Sequence, residues 1–314
     1  MKRSTQLLLM ATHVALAAGT YVLSKLATDG FPTSEGLTLA RALATSFLLL
    51  AFTGSVIPRP DFDGRTWVKL LALGVLLVPV NQYLFLSGLK ASVPSHSALL
   101  YALTPLGVLL LSSLLERRAP PRRKLFGVLV ALAGAIVVLR PWTRDAAAAQ
   151  LRHGDLLLLL AVGAWVVYTV AMRALCRSHD SRAVTAWSLI LGTVAMMPVG
   201  GAALKATAWS AIPASAWWAL AWMVAITSVT MMLLWGFLLR HLPPVQVAIC
   251  MNAQPPATAL LQTLLSWLGF WTALGLRHVD EPLGVPFFVG MVLVLGGAAM
   301  VQRDGARLAA APPD

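Results

Sequence analysis

Acidic side chains are the scarcest chemical resource in this sequence: Asp and Glu number 12 against 24 Lys and Arg in 314 residues. They are Asp29, Glu35, Asp61, Asp63, Glu116, Asp145, Asp155, Asp180, Asp280, Glu281, Asp304 and Asp314, and none falls at the middle of an apolar run. That excludes paired intramembrane carboxylates for proteolysis, and it excludes a carboxylate proton relay of the usual kind. Cysteine is almost missing, since Cys176 and Cys250 cannot make a disulfide framework. No HExxH or Cys/His cluster offers a metal site. No Walker-type loop is present, so ATP does not drive the protein directly. No residue pattern calls for a cofactor. Charged residues make up only 11% of the chain, and the basic ones flank apolar runs instead of forming a stripe among exposed aromatics. Nucleic acid is therefore not a partner, despite the net charge of +12.

What is abundant is apolar sequence: 58% of the residues are hydrophobic and the mean hydropathy is +0.77. This is an all-α membrane protein, and its largest partner is the lipid bilayer. Ten stretches approach the length needed to cross: 6–26, 36–57, 67–88, 94–115, 122–140, 154–175, 183–204, 215–239, 244–268 and 284–302. ALAAG at 15–19 also fits the cleavage region of a signal peptide, but the run continues to Leu26 and has an equivalent at 154–175, so it is read as an uncleaved span. With both termini in the cytoplasm, 16 of the Lys and Arg residues fall inside and 7 outside. That bias fits a multi-pass protein of the bacterial inner membrane.

The chain repeats itself. At an offset of 150, Lys90 meets Arg240, Pro94 meets Pro244, Ala98 meets Ala248 and Pro105 meets Pro255, and Trp67 meets Trp217. Lys25 meets Arg173 at 148, and Gly127 and Gly134 meet Gly290 and Gly297 at 163, so about thirteen residues are inserted before the last span. Five spans per copy is an odd number, which forces the second copy to enter from the opposite face. The expected architecture is ten transmembrane helices as two inverted five-helix repeats, residues 1–145 and 146–314. Pro105 and Pro255 lie well inside their spans, as does Pro79, and each removes a backbone donor there. These three prolines are the candidate hinges. Interrupted segments at corresponding places in two halves point to a transporter's binding site. Gly127, Ala131 and Ala135 form a small-residue face that either packs internally or supports a homodimer.

Polar residues gather near the interruptions: Asn81 and Gln82 in span three, Tyr101 and Thr104 in span four, Asn252 and Gln254 in span nine. Buried in hydrocarbon they cost free energy unless paired or wetted, so they should face the bundle interior, where they either line a cavity or tie helices together. Three ionisable groups lie in the spans: His13, Arg41 and His96. Arg41 could meet an anionic substrate group or gate with Glu35, or snorkel to the interface. His13 and His96 could titrate near neutral pH or be satisfied structural histidines.

The chain resembles the drug/metabolite transporter superfamily, specifically its EamA-type ten-span exporters. The resemblance rests on LARALATSFLLLAF at 39–52, VNQYLFLSGLK at 80–90, SALLYALTPLGVLLLSSLLERR at 97–118, GDLLLLLAVGAWVVYTVAMRAL at 154–175 and LLWGFLLRHLPPVQVAICMNAQPP at 233–256. It covers residues 6–302. One departure stands out: the family's LLLGE-like ending leaves Glu116 in the first copy but Ser266 in the second. In the resembling family, residues of spans one, three, four, six, eight and nine surround the substrate. The resemblance thus implies roles for Thr20 and Tyr21, for Trp165 and Tyr168, and for Trp235, and it gives Arg41 a counterpart in the family's span-two arginine. The expected function is a secondary transporter, an exporter of small organic metabolites such as amino acids, working by alternating access. Export of hydrophobic or cationic drugs by the same fold is the first alternative, and a non-transporting membrane protein is the second.

Overall fold

A computed structural model describes residues 3–55, 57–58, 61–117, 119–139, 146–270 and 284–308. The segment inserted before the last span, around residues 271–283, lies outside the described residues. Helix is the only extended secondary structure among those described, with one isolated bridge joining Thr53 and Ile57. In chain order the helices are α1 (Arg3–Gly30), α2 (Ser34–Ala51), α3 (Gly64–Ala91), α4 (Pro94–Leu115), α5 (Arg122–Leu139), α6 (Ala146–Cys176), α7 (Ser181–Ala206) and α8 (Ala214–His241). They are followed by α9, which runs through Pro244–Ala248, Ile249–Ala253 and Gln254–Trp267, and by α10 (Val285–Leu308). Helices α1, α3, α4, α6, α7 and α8 are long and apolar enough to cross a membrane. Large apolar side chains such as Phe47, Leu114 and Trp267 stand exposed on the outside of the bundle, as lipid contact requires.

Starts follow local chemistry. The Thr33 hydroxyl accepts from Gly36 N–H before α2, the Asp63 carboxylate from Thr66 N–H before α3, and Asp180 from the N–H groups of Arg182 and Ala183 before α7. Each satisfies donors that have no partner in the first turn.

Four interruptions shape the interior. Helix α3 widens into a π-helical stretch at Leu76–Gln82, which contains Pro79, and α8 does the same at Met223–Met231, which contains no proline. In α8 the Thr230 hydroxyl reaches the carbonyl of Ala225, five residues back. Helix α4 breaks at Ala102 and Leu103 and restarts at Thr104–Pro105. Helix α9 passes through a 3-10 stretch at Ile249–Ala253 and restarts at Gln254–Pro255. Pro105 and Pro255 thus sit in a renewed first turn, where a missing N–H does no harm.

Glycine lets several helices touch through their backbones. A β-carbon on Gly74 of α3 would come within 2.6 Å of Gly192 N in α7, and one on Gly88 of α3 within 2.7 Å of Gly154 O in α6. Helix α5 lies along α10, and a β-carbon on Gly134 would meet Gly290 O at 2.7 Å. Gly127 and Ala131 meet Gly297 in the same way, so the small-residue face of α5 is filled by the chain's own α10.

Cations close two helix ends. Lys25 Nζ of α1 donates to the carbonyls of Leu89 (3.2 Å) and Lys90 (3.1 Å) at the end of α3. Arg173 of α6 donates to the carbonyls of Leu239 and Leu242 at the end of α8. Lys25 and Arg173 are 148 residues apart and their targets Leu89 and Leu239 are 150 apart, so the repeat relates both the cations and the helix ends they close. Both satisfy carbonyls that a helix end leaves without partners.

Candidate functional site

A cavity lies where the four interruptions converge. The π-helical stretch of α3 contributes Leu77, Asn81 and Gln82, and that of α8 contributes Thr227 and Met231. Tyr101 ends the first part of α4, while Met251 and Gln254 flank the interruption in α9. A 3-10 stretch turns once every three residues, which puts positions 251 and 254 on one face. Asn252 falls off that face, is half-buried and does not line the cavity.

Hydrogen bonds tie this lining together. Asn81 Nδ2 donates to the Tyr101 hydroxyl (3.0 Å) and to the Ala161 carbonyl (2.8 Å), joining α3, α4 and α6. The Tyr21 hydroxyl donates to Gln254 Oε1 at 2.9 Å, joining α1 to α9. Thr20 shares a 2.8 Å hydroxyl contact with Thr227, and Trp222 Nε1 donates to Thr20 at 3.4 Å. The rings of Tyr21, Phe85 and Tyr101 pack edge to face, with centroids 5.7 to 6.1 Å apart.

The opposite wall is aromatic. Trp165 and Trp235 lie 5.2 Å apart between centroids, and His13 leans on Trp235 at 5.3 Å. Both imidazole nitrogens of His13 and both indole N–H groups are buried without a protein partner. Such groups are costly in a dry interior, and all three residues line the cavity.

Arg41 sets the charge. It is 4% exposed, lines the cavity, and its Nε donates to Ser228 Oγ at 2.8 Å. It does not snorkel, and it does not meet Glu35, whose carboxylate accepts from the Tyr83 hydroxyl at 2.9 Å. Among the described residues, no carboxylate lines the cavity. A guanidinium offers five donors in a planar fork, suited to a carboxylate or phosphate.

Of the residues expected at the site, the cavity therefore brings together His13, Thr20, Tyr21, Arg41, Asn81, Gln82, Tyr101, Trp165, Trp235 and Gln254. Tyr168 is fully buried and stacks on Trp165 at 5.4 Å, behind the lining. Thr104, Pro105 and Pro255 are buried just past the breaks, and Pro79 is half-buried within the wide turn of α3. His96 lies elsewhere: its Nδ1 is 2.9 Å from Asp155 Oδ2, in a buried pair near the start of α6. Sequence reasoning did not single out Phe85, Thr227, Ser228, Met231, Met232 or Met251. Thr227 and Ser228 are small hydroxyls in an otherwise apolar run, a signal present but faint.

The sequence profile described as the EamA-like transporter family matches residues 4–140 and again 152–303. The chain belongs to the EamA-like transporter family. Among relatives of this EamA-like transporter, a Bacillus subtilis protein called uncharacterized transporter YyaM is 23% identical, the match covering 82% of this chain and 79% of the relative. An Archaeoglobus fulgidus protein called uncharacterized transporter is 28% identical over 85% of this chain and 92% of its own length. A solved structure described only as the crystal structure of a protein has the same fold, with a TM-score of 0.61 and 22% identity over 98% of this chain and 99% of that one. The EamA-like chain is thus an integral, multi-pass membrane protein of a transporter family, as the expected resemblance held.

Proposed function

We propose that this EamA-like transporter is a secondary exporter of small organic metabolites, amino acids foremost, working by alternating access around the central cavity. The observation that carries the reading is the buried Arg41 guanidinium facing a cavity lined by polar and aromatic groups and, among the described residues, by no carboxylate. An intramembrane cation without a lining acid favours a substrate that brings its own negative group. The unpartnered groups of His13, Trp165 and Trp235 then serve the rest of the molecule.

In this reading the chain has ten spans, with α2, α5, α9 and α10 joining the six longest, arranged as inverted units 1–145 and 146–314. Both termini lie in the cytoplasm of a bacterial-type inner membrane. Supporting it are the wide turns of α3 and α8 and the breaks of α4 and α9, which recur about 150 residues apart and all border the cavity. The aromatic and methionine wall also favours flat apolar molecules, so drug export is the second reading, and Arg41 disfavours cationic ones.

The test is saturable counterflow in proteoliposomes for each of the twenty L-amino acids, alongside a panel of flat, uncharged hydrophobic dyes. Exchange of dyes alone would replace the first reading by the second.

A further inference from the structure

A second concavity, which shares no residue with the cavity, lies between the first part of α3 and the last part of α6. Its rim is polar, with Thr66 and Lys69 on α3 and Ser178 and His179 in the turn after α6. Below the rim the lining among the described residues is wholly apolar, down to Leu76 on α3 and Val167 on α6. Lys69 to Leu76 is ~10.5 Å of helix and Val167 to Ser178 ~16.5 Å, close to the ~15 Å of hydrocarbon in one leaflet. Small side chains leave the trough open: Ala72 and Ala174 are exposed and Ala171 is half-buried.

The repeat shows that this opening is not a general feature of the fold. At the offset of 150, Ala72 corresponds to Trp222, and at the offset of 148, Val167 corresponds to Gly19. In that half the indole lies on α1, where a β-carbon on Gly19 would stand 3.0 Å from Trp222 Cζ2, and its Nε1 donates to Thr20. A place that one half fills with its own tryptophan is vacant in the other. Lys69 corresponds to Ala219, so the rim charge belongs to the open side alone.

The rim sits where a membrane surface belongs. Phe62 packs edge to face on Trp67 at 5.4 Å and on His179 at 5.3 Å, and Trp67 does the same on Trp187 at 5.3 Å. Aromatic side chains gather at the interface between lipid and water, and this group holds the α6–α7 turn beside the start of α3. The Ser178 hydroxyl lies 2.9 Å from His179 Nδ1, which leaves Nε2 for a ligand.

Charge at this end is mainly positive. Arg65 is exposed one turn before Lys69, and Arg177 is exposed beside Ser178. Among the described residues no carboxylate lines the trough. Asp63 accepts from Thr66 N–H at 3.1 Å, and Asp180 is taken by Arg182 and Arg240. Asp61 is exposed ahead of α3.

We propose that the trough is a binding site for an anionic phospholipid, with its phosphate on Lys69 and the Ser178–His179 turn and one acyl chain laid between α3 and α6. Basic pockets between spanning helices hold acidic headgroups, and an ammonium and a hydroxyl both donate to phosphate oxygens. The apolar floor suits any acyl chain; Lys69 selects the lipid with net negative charge. In the orientation proposed above this is the cytoplasmic leaflet, and the site stands whatever the carrier transports. Leu76 opens the π-helical stretch that gives Leu77, Asn81 and Gln82 to the cavity, so the bound chain backs that wide turn.

Two measurements on the full chain in detergent test the site. Phosphatidylglycerol should raise the melting temperature at lower concentration than phosphatidylcholine. The half-maximal concentration should rise about fivefold with Lys69→Gln and return with Lys69→Arg, while Lys205→Gln, at the other end of α7, should leave it unchanged. In the second measurement, phosphatidylglycerol carrying a diazirine in its acyl tail should label peptides that contain residues 69–76 or 167–178. Ala72→Trp, which copies the other half, should abolish both the labelling and the difference between the two lipids; Ala174→Phe replaces it if that variant does not purify. Equal stabilisation by the two lipids, a Lys69→Gln titration identical to wild type, or labelling confined to other segments each overturns the proposal. Stabilisation by glycerol 1-phosphate at the concentration where the lipid acts overturns it in favour of a soluble phosphate.

Discussion

Replacing Asn81 by alanine removes two hydrogen bonds at once, to the Tyr101 hydroxyl and to the Ala161 carbonyl. Side-chain hydrogen bonds inside membrane proteins contribute roughly 0.6 kcal/mol each, so the pair is worth about 1.2 kcal/mol, close to a sevenfold change in an equilibrium constant. That is small against the stability of a folded bundle and large against the balance between two transport states. Asn81→Ala should therefore insert and purify normally, lose only a few degrees of thermal stability in detergent, and slow amino-acid counterflow by about sevenfold. A cycle with Tyr101→Phe isolates the shared bond: that variant keeps the Ala161 contact, and the coupling between the two changes should be about 0.6 kcal/mol. A stability loss above ~3 kcal/mol would make Asn81 a core fastener instead. Unchanged counterflow in both single variants would refute the placement of Asn81 in the working cavity.

Further outcomes follow from other contacts. Arg41→Lys keeps the charge but loses the planar fork and the bond to Ser228, so initial rates for an exchanged amino acid should fall by about tenfold, and Arg41→Gln should fall further. Trp165→Ala should cut flux without lowering the amount inserted, as measured by counterflow per mole of reconstituted protein. Gly74→Ala would drive a methyl into the α7 backbone at Ser188 and Gly192, and a thermal shift of several degrees downward should appear whatever the substrate. Lys25→Met and Arg173→Met each uncap a helix end; each should lower stability by about 1 kcal/mol in thermal denaturation, and the double variant by about the sum, because the two sites share no partner.

Much of the site was legible because the chain offers the same irregularity twice. Pro105 and Pro255 marked where α4 and α9 restart, and Asn81, Gln82, Tyr101 and Gln254 stood out as polar side chains in apolar runs. The rest depends on winding and tertiary enclosure, which periodicity does not record. The wide turn of α8 contains no proline, so nothing local announced that Thr227 and Met231 would turn inward or that Ser228 would hold Arg41. Asn252 and Gln254 are near neighbours with similar chemistry, and only the 3-10 stretch separates their directions. Asp155 stands at the start of an apolar run, and its burial comes from the α3–α4 joint folding over it, a contact between residues 59 to 63 positions apart.

The two wide turns differ in one covalent respect. In α3 the prolyl nitrogen of residue 79 has no hydrogen to give, so ordinary winding is denied to that segment whatever surrounds it. Residues 223 to 231 keep every amide hydrogen, and their expanded coil is upheld by neighbours alone. Of the pair, only this later coil keeps the amide hydrogens that ordinary helical winding uses, and it carries the Ser228 hydroxyl that steadies the Arg41 guanidinium.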